Sequence, residues 1–142
     1  MELKSFLLPE KVVSFPFPDC EGFEVDLTYL SKESTQAIYK KCEKPKYDMR
    51  LRETTKEFDD DLFLKIYVGS VVKGWKGFKM KFLNKLVLAE VPADQEENEI
   101  PYSQENALDL MKSSNIFDTW VADMISNLGN FSKSNTKKNV SE

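Results

Sequence analysis

The sequence predicts an α+β domain, mainly helical, in which an N-terminal β-hairpin packs on a bundle of about four to five helices. Three observations carry that expectation. Between Val13 and Tyr29, apolar and polar residues alternate, the period of strands with one buried face. From Leu62 to Val72 runs a nearly all-apolar segment fronted by Asp59, Asp60 and Asp61. Towards the end, Ile116, Phe117, Trp120, Val121, Met124, Ile125 and Leu128 recur at helical spacing.

Composition sets the outer limits. A chain of 142 residues suffices for one domain with a real core, expected over residues 1–131. Hydrophobic residues at 41% and charged ones at 31% fit a globular protein and not a disordered one. The formal net charge of −4 argues against general nucleic-acid binding, which needs a concentrated cationic face. No apolar run approaches the roughly 20 residues of a membrane helix, so no membrane partner is expected. The short apolar patch at the start lacks the long core and cleavage site of a signal peptide. Cys20 and Cys42 are too few for a disulfide framework and are expected as free thiols in a reducing cytoplasm. Histidine is absent. That removes the commonest general base near neutral pH and the commonest zinc ligand. A zinc site built from cysteine alone would need four thiolates. The expectation is a protein that is not an enzyme and holds no metal or cofactor.

The elements follow in order. Residues 11–29 read as a hairpin whose connector, Pro18 to Gly22, supplies turn residues, and Pro16 favours an edge position for the first strand. Two strands alone are marginal, so helices must cover their apolar face. Ser31 is placed to cap a helix over Lys32–Glu43 with Ala37, Ile38 and Cys42 as its inner stripe, ended by Pro45. Residues 44–57 are expected first as a surface loop and second as a short irregular hairpin. Their basic patch of Lys44, Lys46, Arg50 and Arg52 around Tyr47 reads as a solvated surface before it reads as a grip on acidic partners or RNA.

A helix over the central segment would carry Leu62, Phe63, Leu64, Ile66, Tyr67, Val68, Val71, Val72 and Trp75 around most of its circumference. Such a helix must be covered by other elements or by a partner. The three aspartates before it resemble an acid cluster, yet capping and the helix dipole explain them better. Gly74 and Gly77 flank Trp75 and Lys76, but the acidic chain does not advertise a nucleic-acid clamp, and no phosphate loop follows. A helix C-cap followed by a restart is the expected structure there, with Trp75 and Phe78 buried. Phe78, Phe82, Leu83, Leu86 and Leu88 among Lys76, Lys79, Lys81 and Lys85 read as a short amphipathic helix with a cationic outer face.

Residues 89–101 form an exposed acidic connector between Pro92 and Pro101, able to fold back on those lysines as a weak electrostatic latch. Ser103 caps the next helix, and Ser113, Ser114 and Asn115 break it. In the last helix the apolar stripe faces the core, with Asp118, Asp123, Ser126 and Asn127 opposite. A helix-in-groove anchor is its functional rival. The polar stretch 132–142 is expected to be disordered.

Several phrases stand in a telling order: Ser14-Phe15-Pro16-Phe17, Val72-Lys73-Gly74-Trp75-Lys76-Gly77-Phe78, Pro101-Tyr102-Ser103-Gln104-Glu105-Asn106-Ala107, Phe117-Asp118-Thr119-Trp120 and Phe131-Ser132-Lys133. Over roughly residues 10–133 the chain resembles the tail assembly chaperones of long-tailed bacteriophages. The resemblance implies a non-enzymatic role in the host cytoplasm. Such proteins bind the long tape-measure protein, keep it soluble and help recruit tail-tube subunits, and they are not retained in the mature virion. It also implies a longer frameshifted form of the same protein, which the polar tail after Phe131 would suit. A homo-oligomer is compatible with this role.

The contact surface expected for the partner is Trp75, Phe78 and Phe82 first, then Phe117, Trp120 and Met124. Lys76, Lys79 and Lys81 would be a charged rim that steers acidic segments. Three rivals stand beside it. They are a structural neck or tail-completion protein, a small helical regulator of transcription, and an enzyme working through the Asp59–Asp61 cluster.

Overall fold

In the computed structural model, which describes residues 2–8 and 10–132, the N-terminal alternation becomes an antiparallel pair. β1 (Val12–Pro16) and β2 (Glu24–Thr28) align Val13 with Leu27 and Phe15 with Val25, so one face is wholly apolar. The turn between them places Asp19 and Gly22 at positive φ. Pro16 lies in an edge strand, as its missing N–H requires. Phe17 donates its N–H to the carbonyl of Phe23, so Ser14 and Pro16 turn their backbone groups away from β2.

α1 (Lys32–Cys42) begins where Ser31 accepts the N–H of Ser34. Its inner stripe is Ile38 and Cys42. Ala37 is exposed, a correction that follows from the amphipathic face being only two residues wide. Residues 43–58 form a second hairpin, β3 (Glu43–Asp48) with β4 (Glu53–Phe58), the alternative ranked behind a loop. Its turn is held by Asp48, whose Oδ1 accepts the N–H of Arg50, and by Arg52 at positive φ. Pro45 sits within β3, so the helix stops before it.

α2 (Asp60–Val71) is capped by Asp59, which accepts the N–H of Leu62 at 3.0 Å. The helix ends earlier than its apolar run. Val72 opens β5 (Val72–Lys76) without an intervening residue, and β5 pairs with β2 to give the sheet order β1-β2-β5. Val72 and Trp75 are therefore strand residues and not part of the helix, nor is there a C-cap and restart. Two consecutive β-branched residues and Gly74 suit a strand, and Trp75 pairs with Val25 on the apolar face. Gly77, at positive φ, turns the chain into α3 (Met80–Leu86).

Residues 87–103 return along α3. Met80 and Lys81 donate their N–H groups to the carbonyls of Asn98 and Glu96, and Ile100 donates its own to Phe78. The anticipated latch is therefore a backbone-paired strap as well as an electrostatic one. α4 (Gln104–Ser113) is capped by Ser103, and α5 (Asn115–Ser126) by Ser114, which closes one helix and opens the next from a buried position. The core draws on residues from Val13 to Phe131, with the sheet on one side and α2 to α5 on the other. Along α5, Phe117, Val121 and Ile125 are buried, while Ile116 and Leu128 at the ends of the stripe are exposed. Leu88 is exposed too, because α3 ends at Leu86. Of the stretch expected to be disordered, Ser132 closes a 3₁₀ turn, and 133–142 lie outside the described residues.

Candidate functional site

An open cleft of about 640 Å³ separates the β1–β2 turn from the start of α5. Phe17, Pro18, Ile116 and Trp120 give it apolar walls, and Asp19 and Lys85 stand at its rim. Ser114 fixes the direction of α5 through its bond from Phe117 N–H at 3.0 Å. One face of the helix then sends Phe117 into the core, and Trp120 follows three residues on. Trp120 meets the edge of Phe17 at 4.8 Å between centroids and stays half-buried. Lys85 donates to the backbone carbonyl of Asp19, pinning α3 to the turn. Beside this cleft, Lys79, Lys81 and Lys85 surround Phe82, with Asp19 and Glu21 facing them.

That lysine rim is partly neutralised from within. Lys79 and Lys81 each reach Glu97 of the strap at 2.9 Å. The two ammonium groups hold the Glu97 carboxyl down at about 2, and Glu97 in turn raises Lys79. Lys76 pairs with Glu24 at 3.6 Å on the outer face of the sheet.

The nine residues expected to meet a partner thus separate. Trp75, Phe78, Phe82 and Phe117 are buried in the core. The reason is β5, which aims Trp75 at Phe23 and Phe78, while Phe23 stacks on Phe78 at 4.5 Å. The Trp75 indole N–H donates to Ile100, so the strap seals it further. Trp120, Met124, Lys76, Lys79 and Lys81 keep surface in reach of solvent.

A second apolar groove, about 280 Å³, lies between α1, α2 and α5. Phe63 is its centre, with Tyr39 at 4.8 Å, Phe58 at 5.6 Å and Tyr67 at 5.8 Å between ring centroids. Sequence reasoning placed Phe63 and Tyr67 on a buried helix and passed over Tyr39 and Phe58. The available signal was the width of the apolar face of α2, of which only Val68 and Val71 are buried. The remainder is the surplus that the all-round pattern foretold.

The aspartates at the start of α2 act as structure. Asp59 accepts from Leu62 N–H and from Lys44 at 3.1 Å, and these bonds hold its carboxyl below the usual range. Among the described residues no group of three or more Cys, Asp or Glu side chains is arranged to hold a metal ion. Cys20 and Cys42 are free and buried, and burial pushes both thiols up. No described helix is long and apolar enough to cross a membrane.

Comparison with known proteins adds one finding. The family model described as YdaY prophage protein matches residues 30–141. No curated protein and no solved structure matches the chain. The match begins just before α1 and covers every element from there to the last described turn. The chain therefore belongs to the YdaY prophage protein family and is phage-related.

Proposed function

We propose that the chain is a tail assembly chaperone that binds the tape-measure protein, keeps it soluble and helps recruit tail-tube subunits during morphogenesis. The observation that supports this most directly is the open apolar cleft beside Trp120. Membership of a prophage family and the resemblance of the sequence to such chaperones point the same way. A tape-measure chain is long and helical, and carries apolar stripes that stay wet until the tube encloses them. One face of a passing helix would lay side chains on Phe17, Ile116 and Trp120, and Lys85 would meet an acidic neighbour. The cleft is open and modest in size, which suits a contact that arriving tube subunits can displace. The protein would act in the host cytoplasm, without catalysis, and would leave before the virion is complete.

Co-expression with the tape-measure protein tests the reading. The expected result is a soluble tape-measure protein that co-purifies with the chain, and loss of at least tenfold of the captured partner with Ile116→Asp. Ile116 is exposed, so the variant keeps the fold. An equally insoluble tape-measure protein with and without the chain would reject the proposal. Stoichiometric recovery of the chain in purified particles would favour a neck or tail-completion protein instead.

A further inference from the structure

The N-terminal arm and the aromatic groove between α1, α2 and α5 are two uncovered apolar surfaces of one chain. In the arm, Leu3, Phe6, Leu7 and Leu8 are 61% to 75% exposed, and the 3₁₀ turn at Leu3–Phe6 buries nothing. Four large apolar residues within six positions are seldom left in water without a purpose. In the groove, Phe63 and Tyr67 are half-buried, Tyr39 is 46% exposed, and no described arm residue lines it.

The root of the arm is tied close to the groove. Glu10 pairs with Lys73 at 3.2 Å, and Lys73 also donates to the carbonyl of Gly69 in the last turn of α2. α2 is the helix that presents Phe63 and Tyr67. Val12 pairs with Thr28, two residues before Leu30, which lines the groove. The arm thus leaves the domain beside the groove's end, yet the single chain keeps the two apart.

We propose that two copies of this chain dock by exchanging these arms, each laying Leu3, Phe6, Leu7 and Leu8 into the other's Tyr39–Phe63–Tyr67 groove. Every copy carries one donor and one acceptor, so a two-fold arrangement satisfies both and closes, as in other arm exchanges. Four such side chains hide on the order of 400 Å² per arm and an equal area of groove. Two insertions then reach roughly 1,600 Å², the size of an ordinary stable interface. The dimer stands independently of the proposed role in tail assembly, because the cleft beside Trp120 belongs to a different face.

Light scattering on the full chain, from micromolar to hundreds of micromolar, tests it. Twice the mass of a single chain is expected. The arm variant Phe6→Ser/Leu7→Ser and the groove variant Tyr39→Glu should each halve that mass. All three positions are exposed, so unchanged circular dichroism and melting should accompany the change. An equimolar mixture of the two variants should dimerise more weakly than the unaltered protein, since one intact arm then meets one intact groove. A single-chain mass for the unaltered protein would overturn the proposal, as would a dimer that survives both variants. Monomeric protein whose groove becomes reactive only when the arm is mutated would assign the arm to its own groove instead.

Discussion

Gly77 occupies a position that no other residue fits. Its φ is +71, and a Cβ added there would lie 2.0 Å from the carbonyl oxygen of Gly22, itself at positive φ in the β1–β2 turn. Gly69 is the counter-case, inside α2 with nothing within 4 Å of an added Cβ. The two should answer substitution with opposite signs. Gly77→Ala combines backbone strain with a clash against backbone that cannot retreat, and should cost at least about 3 kcal/mol. Gly69→Ala restricts the unfolded chain at no steric cost and should add about 0.5–1 kcal/mol. Urea denaturation of both variants checks the pair. At this scale the sequence was only half legible. Capping by Ser31, Asp59 and Ser103 could be read, because a short polar side chain before an apolar period has a local meaning. The contact of Gly77 with Gly22 could not, since the two are joined through the fold and not through neighbouring residues.

Among the elements, the strap over α3 has a titratable fastening. Glu97 is held at about 2, down from an ordinary 4.5, by Lys79 and Lys81. A carboxyl depressed in the folded state contributes stability above its unfolded value. That contribution is whole above about pH 4.5 and disappears as pH falls through about 2. Glu97 is largely exposed, so water and salt screen the pairs and the effect is a loosening of the strap and not an unfolding. Trp75 reports it, because its indole bonds to Ile100 in the same segment. In a Trp120→Phe background, tryptophan fluorescence should shift to the red on acidification below pH 4.5. Glu97→Gln should begin from the shifted state and show little of that transition. Identical titrations would mean that the backbone pairs alone hold the strap.

The elements also show where sequence periodicity reaches its limit. α1, α4 and α5 were legible from caps and one-sided stripes. β3 and β4 were legible only as a second choice behind a loop, because every residue of β4 is exposed and no alternation of burial marks it. β5 was missed because its identity depends on pairing with β2, some 45 residues earlier. Without that partner, Val71, Val72 and Trp75 continue a helical pattern. As a strand β5 sends Trp75 inward, with Phe78 after it, so both lie in the core. Trp120 survived as a surface candidate because the α5 stripe is wider than the core it covers.

At the scale of the whole molecule, the three-stranded sheet has two edges to protect, β1 and β5. Along β5 the strap supplies cover, with Tyr102 donating its hydroxyl to the carbonyl of Val72. Along β1 the only defence in the strand itself is Pro16, whose ring replaces an outward N–H. A ring at that place denies a neighbouring molecule the ladder it would need to polymerise edge to edge. Pro16→Thr should leave the monomer's melting within about 1 kcal/mol yet shorten the lag before thioflavin-positive fibrils form in concentrated solution. In the proposed chaperone role the chain would gather beside aggregation-prone clients, where an outward hydrogen-bond donor on β1 could seed deposits of its own. Pro16 removes that donor at its place in the strand.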